Sequence, residues 1–339
     1  MKLPETSRLQ FTEDLNICRV LNGMWQMSGY HGRIDPAKAI ASMFEYLDAG
    51  YTTWDLADHY GPAEDFIGEF RRQLKNTRGE EALANLQAFT KWVPRPTKMT
   101  KALVEKNIDI SRQRMGVDSL DLLQFHWWEY RDNNYLDALG YMAELQKEGK
   151  IKHLALTNFD TEHLKIITEA GIKIVSNQVQ FSLIDRRPQV AMIDFCQQHG
   201  IQLLAYGTLA GGLISEKYLG QKEPQKFQLD TASLKKYKNM VDAWGDWNLF
   251  QELLTVLQDI ATKHGVTISN VAVRYIIEQP AVAGAIVGAR LGIAEHLEDN
   301  ARVFDFSLDT EDYQKIDAVF SKSRDLYQLI GDCGDEYRR

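Results

Sequence analysis

Three cysteines in 339 residues, Cys18, Cys196 and Cys333, are too few and too widely spaced for a disulfide framework or a zinc cluster. They fit a reducing compartment. No run of about 18 apolar residues occurs, which excludes an apolar transmembrane helix. The opening Met1-Lys2-Leu3-Pro4-Glu5 lacks the apolar centre of a signal peptide, so a cytoplasmic location without membrane partners is expected. Basic charge is in deficit: the formal net charge is -8, and no Lys/Arg-rich patch is visible to neutralise phosphates. Nucleic acid is therefore not an expected partner. Also missing is a G-x-G-x-x-G between a strand and a helix, which excludes a Rossmann route to a dinucleotide. What is present is 44% apolar residues and many aromatics, the composition of a soluble globular chain with a sizeable core.

Hydrophobic periodicity organises that core. Residues 1–20 alternate weakly through Leu9, Phe11, Leu15 and Ile17 around a polar Thr12-Glu13-Asp14, which predicts a small hairpin. Strand-like runs follow at Val20–Gly23, Tyr51–Asp55, Leu86–Lys91, Leu120–His126, His153–Thr157, Ile174–Gln178, Leu203–Tyr206 and Ala283–Gly288. The first helix opens on Asp35-Pro36 as N-cap and first position and closes at Gly50. Further amphipathic segments lie near 64–74, 100–115, 134–148, 161–169, 188–199, 248–264, 268–278 and 309–320. Strands alternating with helices give parallel strands and right-handed crossovers. Eight such units in this length favour a (β/α)8 TIM barrel, preceded by the hairpin and carrying one long loop after strand 7. The chain reads as one domain, 1–339, with a core of about 15–320 and a tail at 321–339. The stretch 213–247 is too long for a plain connector and predicts a lid or binding loop. Within it, Trp244 and Trp247 could cap a ligand or anchor helices. The charged tail could fold over the pocket or fray.

In such a barrel, catalytic side chains sit at the C-terminal strand ends. Those ends carry Asp55, Tyr60, Lys91, His126, Asn158, Gln178 and Tyr206 where packing alone would favour Val, Ile and Leu. A tyrosine, with a reference pKa of about 10, is a sluggish acid near neutrality. A lysine beside it would stabilise the phenolate and lower that pKa, while a carboxylate keeps the lysine charged. His126 would donate to a carbonyl oxygen. Trp25, Trp92, Trp127 and Trp128 flank the same ends and predict an apolar substrate pocket with few polar groups. His31, His59, His153, His163, His199 and His264 have no metal spacing and are expected at the surface, so no metal site is predicted.

The contexts D-L-A-D-H-Y-G (55–61), F-T-K-W (89–92) and L-L-Q-F-H (122–126) resemble those of the catalytic tetrad of the aldo-keto reductase superfamily. Leu156-Thr157-Asn158-Phe159, Asn177-Gln178-Val179-Gln180, Tyr206-Gly207-Thr208-Leu209 and Val287-Gly288-Ala289-Arg290 with Asn300 extend the likeness from about 15 to 320. The resemblance implies Asp55, Tyr60, Lys91 and His126 as catalytic residues and carbonyl reduction by a nicotinamide cofactor. It implies Thr157, Asn158 and Gln178 on the carboxamide and Tyr206 stacked on the ring. Gly207, Thr208 and Leu209 would approach the pyrophosphate with backbone groups, and Gly23, Met24, Trp25, Asp55 and Gly211 are further cofactor-binding candidates. Gly288, Ala289, Arg290, His296, Asp299 and Asn300 would surround the adenosine. Thr157 replaces the usual serine and keeps its hydroxyl. Arg290 favours the 2′-phosphate of NADPH, while His296 stands where Arg or Gln is common and leaves NADH open. A small carbonyl compound is the implied substrate. The alternative function is a cofactor-binding regulatory or redox-sensing subunit with slow turnover.

Overall fold

The structure, a computed structural model, describes residues 2–29, 34–293 and 296–338. His31 lies outside them. Among the described residues there are ten strands: β1 Arg8–Gln10, β2 Asn16–Cys18, β3 Val20–Gly23, β4 Thr53–Asp55, β5 Gln87–Trp92, β6 Leu120–His126, β7 Ile151–Thr157, β8 Ser176–Gln180, β9 Gln202–Tyr206 and β10 Val282–Gly288. The last eight close into a parallel barrel in the order β10-β3-β4-β5-β6-β7-β8-β9. This is the (β/α)8 barrel that the alternation predicts. β1 and β2 pair antiparallel as the expected hairpin. Phe11, Leu15 and Ile17 from the hairpin pack with Leu21, Phe89, Leu122, Ala155, Leu204 and Ala283 from inside the barrel. The hairpin thus plugs the N-terminal end and leaves the C-terminal end as the mouth.

The barrel is wrapped by α1 Pro36–Ala49, α2 Ala63–Arg78, α3 Lys101–Met115, α4 Asn134–Lys147, α5 Thr161–Glu169, α6 Met192–His199, α7 Ala232–Trp244, α8 Trp247–His264, α9 Ile268–Ile277, α10 Leu297–Ala301, α11 Thr310–Phe320 and α12 Leu326–Ile330. α1 starts as its sequence dictates. The Asp35 carboxylate accepts from the amides of Ala37 and Lys38, Pro36 occupies the first turn, and Gly50 ends it with φ near +102°. α6 begins later than the expected 188, because Arg187–Gln189 forms a separate 3-10 turn around Pro188.

The stretch 213–247 differs most from expectation. It contains a full helix, α7, capped by the Thr231 hydroxyl on the amide of Leu234. Leu234, Tyr237, Val241 and Trp244 form its buried face. Trp244 is fully buried, and Trp247 donates from Nε1 to the Gln221 carbonyl at 2.8 Å. Both tryptophans are therefore packing anchors. Among the described residues, no helix is long and apolar enough to cross a membrane, and no group of metal-ligating side chains is found.

Candidate active site at the barrel mouth

Strand register steps the polar set around the C-terminal end of the barrel. Gly23 lies opposite Asp55, Lys91 opposite Gln124, His126 opposite Thr157, Thr157 opposite Gln178, and Gln180 opposite Tyr206. Side chains alternate along a strand, so Phe89 and Lys91 point inward and Trp92 outward. The same alternation turns Leu122, Gln124 and His126 inward.

Asp55 and Lys91 form a buried ion pair. Lys91 Nζ donates to both carboxylate oxygens at 2.7 Å and to the Leu56 carbonyl at 2.9 Å. Gln178 Nε2 donates to Asp55 Oδ1 at 2.7 Å and Gln124 Nε2 to the same oxygen at 3.0 Å. Gln178 also bonds Gln124 Oε1 at 2.8 Å. The carboxylate is thereby satisfied by three side chains, the condition for burying charge without a large penalty. Gln178 is committed here rather than turned toward a ligand. Gln124 belongs to this network and was not expected; its inward phase, two residues before His126, was the available signal.

Tyr60 sits above this pair in the turn after β4, fixed by its amide on the Ala57 carbonyl at 3.1 Å. Lys91 Nζ lies 5.3 Å from the centre of its ring. Trp25 meets the ring edge-on at 5.0 Å and His59 does so at 4.9 Å. Burial first, and the Asp55 charge second, push the Tyr60 pKa well above its ordinary value. This corrects the expectation that Lys91 depresses it. The ammonium is already neutralised by Asp55, so desolvation of the phenolate wins. Burial also lowers the Lys91 pKa, against the opposing effect of Asp55. His59 pairs with Asp58 at 2.8 Å and remains half-exposed, touching the site only through the edge of Tyr60.

His126 is buried at the end of β6, with Nδ1 3.0 Å from the Thr157 carbonyl. A carbonyl only accepts, so Nδ1 carries the proton. Burial, and then the Arg338 charge, lower the His126 pKa to about 3, so the ring is neutral near pH 7. Nε2 is buried without a partner and presents a lone pair. The expected donor role toward a carbonyl therefore requires the imidazolium, which this environment disfavours. As it stands, Nε2 can accept from a hydroxyl.

The four tryptophans separate. Trp128 meets the His126 ring at 4.3 Å and Trp25 meets Tyr60, so both border the mouth. Trp92 and Trp127 are buried in the barrel–helix layer, 5.6 and 5.9 Å from Phe125. Trp127 Nε1 is occupied by the carbonyls of Glu129 and Asp132. The alternation that turns Lys91 and His126 inward turns these two away, which corrects their expected place in the substrate pocket.

Of the residues expected at the nicotinamide end, Thr157 keeps a buried hydroxyl without a partner. Asn158 has φ near +59°, and its side-chain oxygen accepts from the Tyr206 hydroxyl at 2.9 Å. Met24 is buried, and its amide donates to the Asp55 carbonyl at 2.8 Å. Gly207 and Gly211 both have positive φ and lie against Tyr237 of α7, where a Cβ at Gly207 would meet the phenol oxygen at 2.5 Å. Thr208 donates from its hydroxyl to the Phe181 carbonyl at 3.4 Å, and the Leu209 carbonyl accepts from Gly212. The Ala289 amide donates to Gly23 at 2.9 Å, joining the first and last barrel strands. Gly288 lies under the Gln26 amide, whose Oε1 is buried without a partner. Arg290 and His296 are exposed, and the Asp299 carbonyl accepts from Asn270 at the start of α9, one residue before Asn300. A nicotinamide dinucleotide fits this donor set at Thr157, whose buried hydroxyl lacks the partner that a carboxamide would supply.

The C-terminal residues were the least legible part. Tyr337 bonds the Tyr206 hydroxyl at 3.0 Å, and Arg338 donates to the carbonyls of Asn158 at 2.7 Å and Trp127 at 2.6 Å. The tail thus folds over the mouth. Lys236 of α7 joins it, its ammonium bonded to the Tyr337 hydroxyl.

Comparison with known proteins agrees with the fold. Residues 19–320 match the profile of the Aldo/keto reductase family. Flagellar radial spoke protein 5 of Chlamydomonas reinhardtii is 29% identical over 66% of this chain, which spans only 49% of that protein's length. Aldo-keto reductase str7 of Strobilurus tenacellus is 27% identical, with 87% of this chain and 85% of the relative covered. In fold, the chain is similar to an aldo/keto reductase from Klebsiella pneumoniae crystallised with NADP and acetate. The TM-score is 0.69 and the identity 23%, with 93% of this chain and 95% of that one covered.

Proposed function

The chain belongs to the aldo/keto reductase family, and on that premise we propose that it reduces an aldehyde or ketone with NADPH, Tyr60 giving the proton to the carbonyl oxygen. The observation that carries the reading is the buried Asp55–Lys91 pair beneath the Tyr60 ring. When bound, the nicotinamide supplies the hydride; the protein supplies positions and protons. Tyr60 stays a phenol near neutral pH because burial raises its pKa. That does not disqualify it as the acid. Charge develops on an oxygen that becomes an alkoxide, a far stronger base than a phenolate, so the proton moves downhill at that moment. Lys91 then faces the new phenolate, and Asp55 holds the ammonium in place. His126 Nε2 accepts from the hydroxyl of the alcohol product, and so fixes the oxygen next to Tyr60. Thr157 and Asn158 would hold the carboxamide, with Tyr206 against the ring. Arg290, exposed at the end of β10, is suited to pair with a 2′-phosphate.

A screen of NADPH and NADH consumption over aldehydes, ketones and sugars, with both dissociation constants, tests this. Consumption on at least one carbonyl class and tighter binding of NADPH are expected. No consumption with any substrate and no change in NADPH fluorescence on mixing would sink it. A second reading, a cofactor-binding subunit with slow turnover, is favoured by the tail's hold on Tyr206 and Asn158. Burst kinetics followed by a slow steady state separate it from ordinary turnover.

A further inference from the structure

The tail has two halves with different tasks. Residues 332–336 are anchored in the protein. Arg187 is forked onto Asp185 at 2.8 Å by both Nε and one terminal nitrogen. Its other nitrogen donates to the Asp332 carbonyl at 3.0 Å and to Glu336 at 2.9 Å. The Asp332 carboxylate accepts from the Thr161 amide at 2.8 Å. Residues 337–338 are different: their amides bond back to Gly334 and Asp335, but their side chains are turned onto the mouth. Tyr337 bonds Tyr206 and Lys236, and its ring lies 6.0 Å from His126 and 6.2 Å from Trp128. Arg338 spans the carbonyls of Asn158 and Trp127 and lies 3.9 Å from the centre of Tyr130. Within the anchored half, Gly334 has φ near +91° and packs so closely on Asn158 that a Cβ would meet its carbonyl oxygen at 2.0 Å.

From the other side, α7 brings Lys236 over the Tyr206 ring at 5.0 Å, with Tyr237 at 5.2 Å and Tyr337 at 4.7 Å around the same ammonium. A cation therefore sits over the ring on which a nicotinamide would stack, and that ring is itself cationic in its oxidised form. Asn158 and Tyr206, two of the residues expected at the nicotinamide, are both engaged by the protein's own groups.

We infer that Tyr337 and Arg338, with Lys236, are an internal occupant of the nicotinamide end of the site, displaced when NADPH binds. This rests on the proposed reading of Asn158 and Tyr206 as cofactor residues. The anchored half stays in place while Tyr337 and Arg338 swing out beyond Glu336, which Arg187 holds. Displacement costs the contacts of the closed state, so apparent affinity is set by the fraction of molecules already open. The adenosine end is not covered and binds independently of the latch.

The test is the pair Tyr337→Ala/Arg338→Ala against wild type, full chain in each case. Dissociation constants would be measured for NADPH and for 2′,5′-ADP, which lacks the nicotinamide. The variant is expected to bind NADPH about tenfold more tightly and 2′,5′-ADP unchanged. In wild type, hydrogen exchange of the amides at 337–338 should be slow without ligand, should accelerate with NADPH, and should stay slow with 2′,5′-ADP. Equal NADPH affinity in both proteins, or protection of 337–338 that persists in the NADPH complex, overturns the latch while leaving the cofactor reading intact. Tightening toward both ligands alike also overturns it. Absence of NADPH binding in both proteins overturns the cofactor reading, and the latch with it.

Discussion

The two sides of the mouth are built in opposite ways. On the side of β4, β5 and β8, Asp55, Lys91 and Gln178 bond one another together with Gln124 from β6 and the Leu56 carbonyl just past β4. On the side of β6, β7 and β9, groups needed by the chemistry are left open or held from far away. His126 Nε2 and the Thr157 hydroxyl have no partner, and Asn158 and Tyr206 are engaged by a tail more than a hundred residues distant in sequence. A closed network fixes charge and geometry before any ligand arrives. Open or borrowed partners are what the proposed ligand exchange would use. On that proposal, the difference separates a preorganised part of the site from a switched one.

The sharpest way to break this comparison is at Tyr60, which stands over the preorganised side. Tyr60→Phe removes the proton but not the ring, so the rate on an activated aldehyde should fall by about 10²–10⁴-fold. Its NADPH affinity should stay within about twofold of wild type, because the ring contacts remain. A variant that reduces the aldehyde at the wild-type rate would remove Tyr60 from the mechanism.

Next in size is the ion pair. Lys91→Met leaves Asp55 buried with two amide donors and no cation, which should cost about 3–5 kcal/mol of stability in urea unfolding. Lys91→Met/Asp55→Leu should recover part of that loss, because no uncompensated charge stays buried. If the single variant unfolds at the wild-type midpoint, the network is not the closed structure described.

A smaller effect probes the switched side. His126 is neutral because burial and Arg338 lower its pKa to about 3. Between that value and the unfolded pKa of about 6.5, the unfolded chain binds a proton that the folded chain refuses. This contribution to stability is therefore fully present above the unfolded value and is lost as pH falls from there toward 3. Its imidazole resonance should not titrate between about pH 5 and 8, where an ordinary histidine would. Arg338→Ala should move the titration upward, since it removes a like charge. A wild-type midpoint near that of an ordinary histidine would show that the ring is not held as described.

The smallest effect is expected at His59, which is half-exposed and paired only with Asp58. His59→Ala should change stability by no more than about 0.5 kcal/mol. A loss as large as that of Tyr60→Phe would place it inside the chemistry and redraw the boundary of the preorganised side.

Much of the site was legible in the chain. Asp55, Lys91 and His126 end apolar strand runs in inward phase, and Tyr60 follows in the first turn above them. Gln124 carried the same phase, but an amide between two leucines and a phenylalanine reads as a lapse in the core rather than as a partner. α7 was legible too: Thr231 is a cap, and Leu234, Tyr237, Val241 and Trp244 keep helical spacing. The glycines and charges around it made the stretch look like a loop. The tryptophans misled because proximity in sequence is not direction. Trp92 and Trp127 each lie one residue beyond an inward side chain, so the pleat sends them outward. Nothing local marked Tyr337 or Arg338, whose partners are all far along the chain.

By itself, then, the sequence determined the barrel, its hairpin plug and which strand ends carry a carboxylate, a phenol, an ammonium and an imidazole. Those follow from periods of two and 3.6 residues and from polar residues placed where apolar ones would pack. Only the tertiary structure decided which of those groups are satisfied, and by what. Burial sets the Tyr60 and His126 pKa values, a three-dimensional property that no spacing encodes. The Asp55 network depends on strand register around a closed ring. The engagement of Asn158 and Tyr206 depends on where the last residues come to rest, which is fixed by Arg187 through Asp332 and Glu336.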